Sequence, residues 1–368
     1  MHRLLVSIGF WALAVTALGV SRPANACPCL TFANSHADEV AQRAMLIVNS
    51  DSLDYVLQIA VQGNATELGW LIPTPAVPDV PVLVDKDLFD TLGQMTGPML
   101  VSCQAGGACA TDALQYKGEG NVTVWAEGKL DNLDYAVLSA SDGSDLTAWM
   151  QSHNYPTNNA ITLVVNNYID AGWSFVAFKV GANALQGDQP VLGPVAIHIP
   201  YTGAPVFPIK LSSLSVTTSV SLVLYVAAGD LLAPSNYELV SIDKSALTED
   251  ADGNANYNDL LKQAIDAKGG GFVVEYAGNE PGMTFSAPLL QGKLTGKKLV
   301  RLHTDQAPSK FQNDVELTVR SDLVTPAYDC LPKAGETSGG CGGAPAGNAL
   351  PLLALVAIVA WLPRRRPS

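Results

Sequence analysis

From Leu53 to Val61 the odd-numbered positions are all apolar (Leu53, Tyr55, Leu57, Ile59, Val61), alternating with Asp54 and Gln58 and followed by Gln62. A period of two belongs to β-strands, so this stretch commits the chain to sheet. Ala44 to Val48 precedes it across Asn49-Ser50-Asp51, which predicts an antiparallel hairpin. The same reasoning predicts strands at Asn121–Trp125, Trp173–Val180, Val195–Ile199, Ser219–Val226, Phe272–Tyr276 and Asp314–Arg320. The last has the cleanest alternation, with Val315, Leu317 and Val319 set against Asp314, Glu316, Thr318 and Arg320.

Helical spacing interrupts this pattern. Leu88, Phe89, Leu92 and Met95 share one face, and Leu146, Trp149 and Met150 follow a Ser144 cap. Ile161, Val164, Val165, Tyr168 and Ile169 keep the period, as do Tyr257, Leu260, Leu261, Ala264 and Ile265, where Gly269-Gly270-Gly271 ends the helix. Neither a fixed repeat nor a regular βαβ alternation is visible, which argues against a doubly wound parallel sheet. The expected class is α+β, with mainly antiparallel β-sheets and a few amphipathic helices.

The two ends differ from this body. Met1-His2-Arg3, an uncharged apolar run from Leu4 to Val20 and Ala24-Asn25-Ala26 predict a signal peptide over residues 1–26, cleaved between Ala26 and Cys27. An acylated Cys27 is a weaker alternative, because Ala24 and Asn25 suit a lipoprotein signal poorly. Residues 331–348 form a Gly/Ser/Pro-rich linker around Cys341, followed at 349–368 by a hydrophobic helix and Arg364-Arg365-Arg366. The apolar run is short for a span of about 20 residues, and the arginines would hold a transmembrane tail on the cytoplasmic side. None of the 34 acidic residues lies in residues 1–26 or 341–368, while five of the 21 basic ones do. The body, residues 27–330, is therefore strongly acidic and repels phosphate backbones, so no nucleic-acid partner is expected. At 48% hydrophobic and 15% charged, the chain is also no candidate for disorder.

An exported chain meets an oxidising compartment, and six cysteines are available: Cys27, Cys29, Cys103, Cys109, Cys330 and Cys341. Cys103 and Cys109 flank a flexible Gln-Ala-Gly-Gly-Ala loop and are the expected disulfide. Cys330 would pair with Cys27 or Cys29.

Motifs for chemistry are sparse. G-x-S-x-G and H-E-x-x-H are both missing, and His36, His153, His198 and His303 are scattered, with His198 expected to point away from the core. Residues 248–259 can be laid on a calcium loop, with Asp250, Asp252, Asn256 and Asp259 as ligands. Calcium is the one cofactor suggested, and an acidic turn capping the helix that begins near Asn256 is the competing reading. Trp70 is either an exposed binding aromatic or, as its apolar strand favours, a core residue.

Several ordered blocks resemble a known family: Gly69-Trp70-Leu71-Ile72-Pro73-Thr74-Pro75, Tyr135-Ala136-Val137-Leu138-Ser139-Ala140-Ser141-Asp142, Trp173-Ser174-Phe175-Val176-Ala177-Phe178-Lys179, and Pro205-Val206-Phe207-Pro208-Ile209-Lys210-Leu211. Together they resemble the uncharacterised bacterial family termed domain of unknown function 2330, over about residues 27–276. That family implies export and supplies no activity to carry over. Gly-Gly-Cys341-Gly-Gly, the apolar helix and the arginines resemble the myxobacterial-type carboxy-terminal sorting tail. This resemblance implies that Cys341 is the processing and lipid-attachment point, that a sorting protease acts there, and that the protein is anchored at the surface or outer membrane of a Gram-negative bacterium. The expectation is a non-enzymatic binding or envelope-structural module, with a secreted hydrolase using acidic residues as the alternative.

Overall fold

The computed structural model describes residues 29–30, 37–63, 67–100, 123–130, 133–155, 159–187, 190–215, 217–250, 252 and 254–328. The strands in the first half are β1 (Cys29–Leu30), β2 (Ala37–Val48), β3 (Ser52–Gly63), β4 (Glu67–Thr74), β5 (Val82–Leu83), β6 (Thr123–Leu130), β7 (Leu133–Ser139) and β8 (Ser174–Gly181). Those in the second are β9 (Val191–Pro200), β10 (Val206–Phe207), β11 (Val220–Ala228), β12 (Leu232–Pro234), β13 (Leu239–Val240), β14 (Phe272–Asn279), β15 (Lys298–Gln306) and β16 (Val315–Val319). The helices are α1 (Leu88–Thr96), α2 (Gly143–Ser152), α3 (Asn159–Asp170) and α4 (Tyr257–Lys268).

The predicted hairpin is present, with Ala44 opposite Leu57 and Val48 opposite Leu53. It lies inside an eight-stranded sheet of order β13-β14-β15-β11-β2-β3-β9-β5. A second sheet, of order β1-β4-β8-β7-β6, is antiparallel throughout. A three-stranded sheet, β10-β16-β12, completes the set. The α+β, mainly antiparallel expectation holds. Two pairings depart from it, since β11–β2 and β13–β14 are parallel. The second is a single βαβ unit closed by α4, which a search for regular alternation passes over.

The two larger sheets face each other. Leu53, Tyr55, Leu57 and Ile59 of β3 join Trp70, Ile72, Val176 and Phe178 of the second sheet in one apolar cluster. The outer face of the second sheet is covered by α2 and α3 through Trp149, Met150, Ile161 and Val165. The outer face of the large sheet is covered by α1 through Phe89 and Leu92, and by the segment 283–297 through Phe285, Leu290 and Leu294. Further along that face, Leu261 and Ile265 of α4 pack on Val240 and Val273. Helix, sheet, sheet and helix are thus stacked, and the central strands are buried on both faces. The alternation in β3 separates two interiors, not core from water: every residue from Ser52 to Ile59 is buried.

Local signals also resolve. Helix α2 is capped by Asp142, whose Oδ1 accepts from the N–H groups of Ser144 (2.7 Å) and Asp145 (2.9 Å), so the expected Ser144 cap is displaced by two residues. Asp142 wins because its extended backbone leaves the carboxylate over the first-turn donors. Gly269 ends α4 at φ 78°, a left-handed conformation that glycine adopts without penalty.

Trp70 is 2% exposed and packs on Phe178, with ring centroids 5.4 Å apart. Trp70→Ala is expected to cost about 3–5 kcal/mol in urea unfolding. A loss below about 1 kcal/mol would place the ring outside the core.

Candidate functional site

Strand β15 alternates Arg301, His303 and Asp305 on one face with Val300, Leu302 and Thr304 on the other. The apolar set joins the inter-sheet core, so the polar set faces the outer layer. On the neighbouring β14 the register shifts between Val274 and Tyr276, a bulge at Glu275. A bulge bends the strand and re-aims one side chain, and here it turns a carboxylate into the sheet face beside β15.

Glu275 is 1% exposed. Its Oε2 lies 2.6 Å from Arg301 Nε, and its Oε1 meets His303 Nδ1 at 2.8 Å. The hydroxyl of Tyr257, from α4, donates to Oε1 at 2.9 Å. Burial alone would raise the pKa of this carboxyl. The hydrogen bond and charge of His303, the charge of Arg301 and the Tyr257 hydroxyl outweigh it and hold the group below the usual Glu range. Burial and the adjacent Glu275 push Tyr257 far up, so it remains a neutral donor. Arg301 lies over the Tyr225 ring, 5.6 Å from its centroid, and donates to Gly93 O of α1 at 3.2 Å. The other nitrogen of His303, Nε2, meets Ser221 Oγ of β11 at 3.3 Å. Ser221, His303 and Glu275 form a continuous chain across three adjacent strands.

Among the other carboxylates, the buried Asp54 and Glu39 and the half-buried Asp314 each stand apart from this one. Asp54 is directly opposite His198 in the β3–β9 register. It is fully buried, bonds His198 Nδ1 at 2.6 Å and Asn49 Nδ2 at 3.0 Å, and pairs with Lys293 of the 283–297 segment. His198 does leave the inter-sheet core as expected, but it enters this ionic cluster instead of solvent. Asp314 accepts from Tyr168 Oη (2.6 Å) and from the backbone N–H groups of Ile209 and Lys210 (each 2.9 Å), and burial raises its pKa. Glu39 accepts from Gln42 Nε2 (2.5 Å) and Ser212 Oγ (3.2 Å), and burial raises its pKa to about 7. Gln42, Ser212 and Trp70 line a cavity of about 20 Å³ nearby, enough for one water. Each of the four has its own donors, so they do not form the facing acid pair that a carboxylate hydrolase requires.

The calcium-loop residues form a hydrogen-bonded turn. Asp250 Oδ1 accepts from the N–H groups of Asp252 (2.9 Å) and Asn254 (2.8 Å), and the Asn256 amide bonds Thr248 N–H and Ala246 O. Asp252 and Asp259 are exposed. Among the described residues no three His, Cys, Asp or Glu side chains are gathered as a metal site needs. His153 stacks on Trp149 at 4.2 Å. Trp70 is buried in the inter-sheet core. His36, Cys27, Cys103, Cys109, Cys330 and Cys341 lie outside the described residues, as do the cleavage site after Ala26 and the tail at 349–368.

The chain matches the family described as uncharacterized protein conserved in bacteria (DUF2330) over residues 23–318. It belongs to that family. The DUF2330 match runs beyond the Tyr276 boundary read from sequence blocks, through β15 and into β16. It therefore includes Ser221, Glu275 and His303. Among solved structures the chain is similar to the crystal structure of baculovirus P35, at 10% identity and a TM-score of 0.38, over 78% of this chain and 98% of that one. A likeness this weak carries no conclusion for the DUF2330 chain. No curated protein matches it.

A buried Glu that holds its proton to about pH 7 stabilises the fold at low pH. That contribution is complete below the unfolded pKa near 4.5 and is lost as pH rises through about 7, a decline on the order of 3 kcal/mol. Urea unfolding of Glu39→Gln at about pH 5 and about pH 8 should show most of this decline removed.

Proposed function

We propose that this protein is exported and held at the surface of a Gram-negative cell, where its body serves as a binding or structural module of the envelope. One observation carries the reading. Every acidic residue lies between two largely apolar ends whose only charged side chains are arginines, with Ala24-Asn25-Ala26 and Cys341 at the two junctions. Among the described residues no helix is long and apolar enough to cross a membrane.

In this reading a signal peptidase releases Cys27 as the first residue. The helix at 349–368 then pauses in the inner membrane, and a sorting protease processes the chain at Cys341, which receives lipid. One acyl chain binds a membrane only marginally, so retention requires two chains or a second contact. The polar clusters of the body favour a rigid module: Lys293 and Tyr257 tie the covering layer to sheet strands through the buried carboxylates of Asp54 and Glu275.

Amino-terminal sequencing of the mature protein should begin at Cys27, and a start at Met1 would overturn export by cleavage. Cys341→Ala should leave the body folded, change the intact mass and release the protein from the cell surface. Trimming and retention equal to the unaltered chain would replace the sorting tail with a plain membrane anchor.

A further inference from the structure

We propose that Ser221 is a nucleophile activated by His303 and Glu275, and that it accepts acyl groups from carboxylic esters as a covalent acyl-serine. This goes beyond the export and anchoring reading and stands without it.

The geometry has the order that nucleophilic serine chemistry needs. Ser221 Oγ lies 3.3 Å from His303 Nε2, and His303 Nδ1 lies 2.8 Å from Glu275 Oε1. A base is effective when its far nitrogen is held by a buried carboxylate, because this fixes the ring and stabilises the imidazolium. Glu275 meets that condition, being 1% exposed and pinned by Arg301 and Tyr257. The reacting end stays reachable: Ser221 is half-buried and the His303 side chain is 13% exposed.

The step balances within the chain. Ser221 Oγ bonds to the ester carbonyl carbon as its proton passes to His303 Nε2. The tetrahedral adduct collapses, the bond to the alkoxide oxygen breaks, and His303 returns the proton to that oxygen. Water then repeats the sequence on the acyl-serine, releasing a carboxylic acid and restoring Ser221.

An alkyl fluorophosphonate tests this on the full chain, because attack by an activated serine expels fluoride and leaves a stable phosphonyl ester. Peptide mass spectrometry should find one adduct, on Ser221. Ser221→Ala should remove it, and His303→Gln, shown folded by circular dichroism, should slow labelling about 100-fold. Urea-unfolded protein should not label. Glu275→Gln, which orients the base without touching substrate, should slow labelling and displace its pH profile. A folded chain without label at Ser221, equal labelling in His303→Gln, or an unmoved pH profile in Glu275→Gln would overturn the proposal and leave a structural hydrogen bond between Ser221 and His303.

Discussion

Apolar contact between the inward faces of the two large sheets is the constraint on which the other features depend. Tyr55, Leu57 and Ile59 on one side and Trp70, Val176 and Phe178 on the other exclude water from the middle of the molecule. Once those faces are joined, each sheet still has an outer face with apolar residues, and each must find a cover. Helices α2 and α3 supply one cover. The other is assembled from α1, α4 and the 283–297 segment, because no single helix spans eight strands.

A sheet covered on both sides has no cheap place for a charge. The carboxylates caught there are joined to groups from other layers. Asp54 binds Lys293 of the covering segment, and Glu275 binds Tyr257 of α4 along with Arg301 and His303. Asp314 joins α3 to the turn at Ile209–Lys210, and Glu39 joins β2 to Ser212. Such pairs add little net stability over apolar packing, yet removing one partner leaves a buried charge and is costly. Their effect is to fix how the layers sit on each other. The same fixation holds the His303 ring against Ser221.

Much of the fold was legible from local pattern. The β2–β3 hairpin, the strands at β8, β9, β11, β14 and β16 and all four helices follow from period two or period 3.6, since each is a property of neighbouring residues. The parallel β11–β2 pairing was not legible, because it joins residues about 180 positions apart and leaves no local trace. The Asp142 cap was missed for a smaller reason, as Ser144 is an equally good cap by type and only backbone geometry separates them. The candidate site was illegible as a site. Ser221 sits between Val220 and Leu222 with no elbow motif, and Glu275 and His303 are ordinary members of their strands. Polar residues at His303 and Arg301 within an apolar strand were the one available signal, because a buried strand tolerates them only with partners.

By itself the sequence determined the β2–β3 hairpin, the strands at β8, β9, β11, β14 and β16, the four helices, the α+β class, the family, and the contrast between an acidic body and its arginine-bearing ends. These depend on composition and short-range periodicity, which the chain carries before it folds. Tertiary structure alone decided that the polar face of β3 is an interior and which donor each buried carboxylate receives. Those outcomes depend on strand order and on one bulge at Glu275, and both arise only when distant segments pair.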